Sequence, residues 1–489
     1  MPEQSLKQKT VSGTFWSGVD RFSAQGIQLV LGIIIARMLP PEDYGVIGML
    51  AIFFAVSQSF ISGGFYIALI RKQNRTDADY STVFYFNIVV GLAFYFILFF
   101  SSPYIAAFYK TPILDSLTKV VAVNVILSSL VIVQRARFTI NLDFKTQTKV
   151  SLISVIISGI IGIGMAYKGF GVWTLAAQSI ISSGITMILF WRYSNWIPKR
   201  VFSISSFKEM FFFGYKLLIS GLIDNIYNNI YTLVIGKKFS QIDLGYYTRA
   251  DNFAQFPSSN ITNILQRVTL PVLSNVQNDN EKLREMYRKF LCLSAFIIFP
   301  LMIGLSATAD PLIRLILTDN WSGAILLLQI LCLSQMWYPI HAINISLLQV
   351  KGRSDLFLRL EIIKKVIGVI ILCITIPIGV AAMCCGAVIN SLIGLFINTY
   401  YTGKLIQIGY WKQMKDLLPI LVNTFSMGII VWGITELIHN YILALIVGIT
   451  VGGIYYYFFA RITRSMELQE VKNLLDMQID KIKLWKTRK

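Results

Sequence analysis

Apolar residues along the chain come in runs of about 20 or more, the length that carries a helix across a bilayer core. Such runs cover 10–38, 42–70, 80–108, 113–133, 148–166, 170–192 and 208–236. They continue through 243–275, 283–305, 322–349, 356–376, 379–402, 412–436 and 440–460. Polar connections separate them, the longest at 134–147, 193–207 and 276–290. The pattern predicts an all-α, polytopic membrane protein with fourteen transmembrane helices. Residues 306–321 are the longest connection expected on the outer side, and none there is long enough to fold by itself.

The chain also repeats itself. "IARMLPPEDYGVIGMLAIF" at 35–53 and "IGKKFSQIDLGYYTRADNF" at 235–253 align with a shift of 200. Ile35 then falls on Ile235, Arg37 on Lys237, Asp43 on Asp243 and Gly45 on Gly245, while Gln25 meets Asn225 and Gln28 meets Asn228. Six helices between equivalent positions restore the same orientation, so the halves read as parallel repeats about an axis along the membrane normal. The expected division is an N-lobe at 1–200, a C-lobe at 201–405, two added helices at 406–460 and a basic amphipathic tail at 461–489. In that tail Leu468, Val471, Leu475, Ile482 and Trp485 share a helical face, which suits the anionic inner leaflet. Gly45 and Gly245, in the two matching loops, are candidate hinges.

Polar residues inside the apolar runs are not scattered. Thr14, Ser17, Arg21, Gln25 and Gln28 follow helical steps, with Asp20 beside them. Lys216, Ser220, Asp224, Asn228 and Tyr231 do the same, flanked by Asn225 and Asn229. Arg249, Asn252, Phe256, Asn260, Asn263 and Arg267 form a third stripe near Asp251. Each charge deep in a bilayer costs roughly 2.5–3.5 kcal/mol even on the lenient insertion scale, so these groups imply a wet cavity. Counting Lys119, five cations face three carboxylates, a surplus of two positive charges that suits an anion. Guanidinium groups match phosphate oxygens with paired, charge-assisted hydrogen bonds. Asp224, with Asp20 second, is the candidate ion-coupling carboxylate, and coupling to a H⁺ or Na⁺ gradient is expected in place of any cofactor.

Composition narrows the class. The chain is 55% hydrophobic and 14% charged, where a soluble protein would carry about a quarter charged residues. Its net charge of +19 is a matter of distribution, not of nucleic-acid binding. With the N-terminus in the cytoplasm, only Arg37, Lys110, Lys168, Lys237, Lys238 and Arg314 fall outside, and nearly all other basic residues face inward. Both termini are therefore expected in the cytoplasm. No segment has the layout of a cleavable signal peptide. Five cysteines lie in apolar runs without metal-ligand spacing, and two histidines make a histidine-rich metal site untenable. No nucleotide-binding glycine loop or Ser/His/Asp arrangement is present, so the chain does not read as an enzyme.

The stretch "KTVSGTFWSGVDRFSAQGIQLVLGIIIARMLPPEDYGVIGM" at 9–49 resembles the opening of Wzx-type polysaccharide flippases, in their WzxC-like branch. "DLGYYTRADNFAQFP" at 243–257 resembles the helix-eight signature of the same family. The resemblance spans the whole chain. It implies the multidrug/oligosaccharidyl-lipid/polysaccharide exporter superfamily, with two six-helix lobes in a V plus two further helices. It also implies a bacterial inner-membrane flippase that moves an undecaprenyl-pyrophosphate-linked oligosaccharide to the outer leaflet by alternating access. On that likeness Arg21, Arg249 and Arg267, then Lys216, Gln25 and Asn228, are expected at the headgroup. Partners would be the lipid-linked glycan, membrane lipid, and a polysaccharide polymerase with its chain-length regulator, with no nucleic acid. Two readings compete: a MATE-like antiporter for cationic drugs on the same fold, marked by surplus carboxylates, and a membrane polymerase or ligase, marked by a large catalytic outer loop.

Overall fold

The computed structural model describes residues 23–62, 64–470 and 472. Among these residues the regular structure is helical throughout, without a strand. Ten helices are long and apolar enough to cross a membrane, which makes this a multi-pass membrane protein. Four further helices occupy positions where spans are expected: α1 (Ser23–Met38), α10 (Ile204–Asn228) with its continuation α11 (Ile230–Lys238), α12 (Gln241–Asn275) and α17 (Ser354–Thr375). All but α17 carry the polar stripes, so apolarity alone does not bring the count to fourteen.

The chain packs as two compact units, residues 1–248 and 249–489. The repeat boundary expected near 200 describes the internal echo, whereas the packing boundary falls one helix later. In the first unit α2 (Pro41–Ser62) and α3 (Phe65–Arg71) are followed by α4 (Asp77–Tyr109). The α4 start is a capping box: Asp79 N–H donates to Thr76 Oγ1 at 3.3 Å, and Thr76 N–H donates to Asp79 Oδ2 at 2.8 Å. Next come α5 (Ile113–Val121), α6 (Val123–Ser129), α7 (Ile132–Ile140), α8 (Phe144–Tyr167) and α9 (Val172–Tyr193). Residues 134–147, expected as a loop, are helical as far as Ile140, and this turns Arg135 into a wall residue of the unit.

The 194–203 linker is pinned to the start of α4. The backbone N–H of Lys199 donates to Ser81 Oγ at 3.0 Å, and that of Ser203 to Thr82 Oγ1 at 2.9 Å. Trp196 packs into a buried cluster with Phe65, Leu69, Phe84, Val133 and Met210. Lys72 lies 2.9 Å from Asp79 and 2.8 Å from Glu209, which ties the end of α3 to the start of α10.

In the second unit α13 (Asn280–Ala307) leads through α14 (Ala309–Leu317) to α15 (Ala324–Gln335) and α16 (Tyr338–Val350). After α17 come α18 (Val380–Ile406), α19 (Tyr410–Leu437) and α20 (Tyr441–Ile462). The run 322–349 breaks between α15 and α16, so Pro339, expected within a helix, sits in the first turn of α16, where its missing N–H costs nothing. Pro257, Pro271 and Pro300 do lie inside helices. The 306–321 connection is filled by α14 and a short 3₁₀ turn that buries Trp321. Most of the tail, 471 and 473–489, lies outside the described residues. The part before it is anchored: Glu470 pairs with Lys289 at 2.8 Å.

Candidate functional site

A polar ladder in the first unit joins α6 and α9. Asn124 Nδ2 donates to Ser179 Oγ at 3.0 Å, and Thr186 Oγ1 reaches Ser154 Oγ on α8 at 2.9 Å. Between these rungs a pocket of about 120 Å³ opens, lined by Gln58 of α2, Ser128, Arg135, and Ser182, Ser183 and Thr186 of α9. The turn between α6 and α7 presents one polar side chain from each helix, Ser128 and Arg135, to the same space. Trp191 Nε1 donates to the Leu130 carbonyl at 3.0 Å and holds α9 against that turn. Arg135 is exposed into the opening, its guanidinium carbon 5.7 Å from the centre of the Phe190 ring. Among the described residues no carboxylate forms an ion pair with it.

Arg135 lies five residues from the C-terminus of α7, about 8 Å along the axis at 1.5 Å per residue. The pocket therefore belongs to the half of the membrane span nearest the α7–α8 connection. Three hydroxyls (Ser128, Ser182 and Ser183), one amide and one guanidinium can donate together to an anionic, hydroxyl-rich group. The pocket's volume holds about four waters, at ~30 Å³ each, or a ligand portion of the size of a phosphate.

The residues singled out from the sequence distribute as follows. Arg21 and Asp20 lie outside the described residues. Gln25 is half-buried on α1. Lys216, Ser220, Asp224 and Asn228 are all exposed along one face of α10, which places the second stripe on open surface. Asn225 turns the other way, its Nδ2 donating to Ser59 Oγ on α2 at 2.6 Å. Tyr231, the last member of the second stripe, stacks on Tyr247 with ring centres 6.2 Å apart.

In the second unit Arg249 is half-buried with its guanidinium carbon 5.9 Å from the centre of the Trp321 ring, and Arg267 is exposed. The α12 stripe keeps Asn252 and Arg267 exposed but loses Asn260 to the interior. Asn260 is buried with its Nδ2 on the Phe256 carbonyl at 2.8 Å, while Asn252 and Gln255 are exposed. Gln255 in turn donates to Asp251 Oδ2 at 2.8 Å.

Lys119, counted among the cavity cations, belongs elsewhere. Its Nζ is 2.9 Å from Asp115 one turn before it, and it lies over the Phe99 ring. Asp115 also accepts from Ser102 Oγ at 2.6 Å, so this charge is answered locally. Arg135, in turn, was hidden from sequence reasoning because the apolar run ends at 133. The apolar residues Ile132, Val133 and Ala136, at helical spacing around Arg135, are the signal that could have extended the helix.

The two matching loops meet within the first unit. A Cβ on Gly45 would land on the backbone carbonyl of Gln241, and a Cβ on Gly245 would land on that of Pro41. Residues related by the 200-residue offset thus exchange contacts reciprocally, as twofold-related segments do. The acid of the second loop completes a helix cap: Ser240 Oγ donates to Asp243 Oδ2 at 2.7 Å, and Asp243 N–H donates back to Ser240 Oγ at 3.0 Å. Lys237 ends α11 by donating to the Phe108 carbonyl. The charges flanking this tight connection are therefore helix-terminal. No group of His, Cys, Asp and Glu with metal-ligand geometry occurs among the described residues.

Residues 34–326, more than half of the chain, match the family model described as polysaccharide biosynthesis protein. The chain belongs to that family. It is similar to the teichuronic acid biosynthesis protein TuaB of Bacillus subtilis (strain 168), with 26% identity covering 88% of this chain and 90% of the relative. Similarity to the lipopolysaccharide biosynthesis protein WzxC of Escherichia coli (strain K12) is 24% over 88% of this chain and 89% of that one. The succinoglycan biosynthesis transport protein ExoT of Rhizobium meliloti (strain 1021) is 23% identical over 97% and 96%. Among solved structures, the lipid II flippase MurJ in an inward closed conformation superposes with a TM-score of 0.76 at 17% identity, covering 92% of this chain and 98% of that one. An inward-facing MATE family multidrug transporter of the MOP superfamily gives 0.60 at 15%, over 80% and 100%. These superpositions establish that the chain shares the fold of both proteins.

Proposed function

We propose that this protein carries the headgroup of a polyprenyl-pyrophosphate-linked oligosaccharide from the cytoplasmic to the outer leaflet of a bacterial inner membrane, by alternating access, in surface polysaccharide synthesis. The observation that carries this reading is the Arg135 pocket. Its lining offers a guanidinium and four hydroxyls but no carboxylate, which fits a phosphorylated sugar and not a cationic drug. The exposed basic residues Lys216 and Arg267 extend that character to each unit separately. The names of TuaB, WzxC, ExoT and MurJ support the same class of cargo and the same transport role. A polymerase or ligase would need room for catalytic groups on the outer side, and the 306–321 segment is instead a packed helix and turn.

The reading places both termini in the cytoplasm and takes transport to be driven by a H⁺ or Na⁺ gradient through Asp224. A polysaccharide polymerase and chain-length regulator would act on the delivered product. The test is reconstitution. Proteoliposomes holding the purified chain and a fluorescent polyprenyl-pyrophosphate oligosaccharide should let a membrane-impermeant glycosidase digest glycan that began in the inner leaflet. Digestion no faster than in empty liposomes, with protein shown to be folded and inserted, would exclude the flippase reading. Equal movement of a cationic dye with no movement of the glycan lipid would favour the drug-antiporter alternative.

A further inference from the structure

A second basic pocket lies in the second unit, far along the chain from Arg135. It occupies about 330 Å³ where the first turns of α13 meet the α18–α19 connection. Four cations line it, Arg284, Arg288, Lys412 and Lys415, with one carboxylate, Asp416. That carboxylate is committed to one partner: Arg288 donates through Nε to Asp416 Oδ2 at 2.7 Å and through a terminal nitrogen to Oδ1 at 2.5 Å. Two of the other cations are held but not neutralised. Arg284 Nε donates to the Ile406 carbonyl at 2.8 Å, and Lys412 Nζ donates to the Gln407 carbonyl at 3.0 Å. Among the described residues the pocket keeps three positive charges without an ion pair.

Its floor is rigid. Gln413 is buried directly behind it and donates to Thr402 Oγ1 at 3.0 Å and to the Ile408 carbonyl at 3.1 Å. Asn344 accepts from Tyr287 at 2.9 Å in the same buried network, so α13, α16, α18 and α19 are fastened together under the pocket. The carbonyls that aim Arg284 and Lys412 are therefore fixed before any ligand arrives, which reduces the ordering cost of binding.

Depth and lining identify the ligand. Trp411, beside Lys412, is 81% exposed, and exposed Tyr400 lies under the Lys404 ammonium at 4.5 Å. Such aromatics gather where headgroups meet hydrocarbon. From Lys415 the exposed positions of α19 continue as Leu418, Val422, Phe425 and Ile429, spaced by three and four residues on one face. Lys415 to Phe425 covers about 15 Å, the depth of one leaflet's hydrocarbon. A soluble anion would use the cations and ignore this apolar track, whereas a phospholipid uses both.

We infer that this pocket binds the phosphodiester headgroup of an anionic phospholipid from the leaflet on the basic side of the membrane, with an acyl chain laid along Leu418, Val422, Phe425 and Ile429. The site is separate from the Arg135 pocket and does not depend on the transport reading. The test uses the full-length protein exchanged into nanodiscs and examined by native mass spectrometry, with dioleoylphosphatidylglycerol against dioleoylphosphatidylcholine. Wild type should retain the glycerol lipid preferentially. Lys412→Gln with Lys415→Gln should weaken that retention ~25-fold, taking about fivefold for each basic residue near a membrane surface. Both lysines are exposed, so the variant should elute and melt as wild type does. A control with the same charge loss in the first unit, Lys149→Gln with Arg192→Gln, should retain lipid normally.

Equal retention of the two lipids by wild type, or an equal fall in the control variant, would reduce the pocket to diffuse surface charge and overturn the inference. Displacement of the glycerol lipid by sn-glycerol 1-phosphate at the lipid's own concentration would also overturn it, by making the site one for a soluble anion. Because the readout is lipid retention, failure here leaves the glycan-flipping assay unaffected, and failure there leaves this one standing.

Discussion

Arg135 and Lys119 show what a single charge means inside such a chain. Both lie in the run of helices from Ile113 to Ile140, and the sequence pattern counts Lys119 among the cavity cations while leaving Arg135 in a connection. The structure reverses that weighting: Lys119 is paired one turn away with Asp115, while Arg135 stands in a hydroxyl-lined pocket. The expected outcome is that Arg135→Gln lowers surface polysaccharide at least tenfold at normal protein level. This is the range expected for losing a charge-assisted hydrogen bond worth about 1.5–3 kcal/mol. Arg135→Lys should recover part of the loss, because an ammonium cannot fork onto two oxygens. Lys119→Gln should leave polysaccharide near the wild-type amount. If Lys119→Gln is the damaging change and Arg135→Gln the silent one, the pocket is not the headgroup site. Sequence alone could not decide between the two, because pairing depends on which carboxylate shares the turn and whether the apolar period continues past an arginine.

At the scale of elements, the 200-residue echo was legible because loop-to-helix starts keep their own signatures: an acid in the first turn and a glycine two residues later. What the echo could not reveal is why the glycines are there. The start of α2 and the start of α12 pass so closely that each glycine faces the other segment's carbonyl, a need that only three-dimensional crossing creates. Gly64 and Gly214 repeat the lesson between α3 and α10, where a Cβ on Gly64 would sit 2.7 Å from the Gly214 carbonyl oxygen. Gly45→Ala or Gly245→Ala should therefore lower the melting temperature and reduce flipping, since overpacking a close crossing costs about 1–3 kcal/mol. Gly453→Ala on α20, where nothing lies within 4 Å of the added Cβ, should be neutral or slightly stabilising, since alanine is favoured over glycine by about 1 kcal/mol in a helix. A thermal-shift series on the three variants checks this. A Gly45→Ala protein that melts and transports like wild type would remove the crossing from the mechanism. Element ends were the least legible part. The breaks at Asn229 and between α15 and α16 follow packing, and no helical wheel contains the burial of Asn260 within the α12 stripe.

Across the whole molecule, the class of the protein was set by features that survive any error in helix ends: long apolar runs, basic connections, and polar residues confined to a few helices. The same features make the coupling proposal testable. A transporter that only exchanged lipid between leaflets would equilibrate it, so net export requires a second gradient or continuous removal of product. Asp224 is the coupling candidate because a carboxylate within a span is the cheapest site for binding a proton or Na⁺ when its surroundings change. Its position on the open face of α10, beside the exposed Lys216 and Asn228 positions of the same stripe, makes its replacement a direct test between two roles. A carboxylate that neutralised a buried arginine would unfold the protein when removed, by leaving a charge uncompensated. An exposed one should be replaceable. Asp224→Asn is accordingly expected to fold, insert and bind the glycan lipid, and to flip it downhill at a rate that no longer responds to an imposed pH or Na⁺ gradient. The measurement is the initial flipping rate in proteoliposomes with each gradient applied and then collapsed by an ionophore. Full wild-type gradient dependence in folded Asp224→Asn protein would move coupling to another group, and loss of folding would return Asp224 to a structural role.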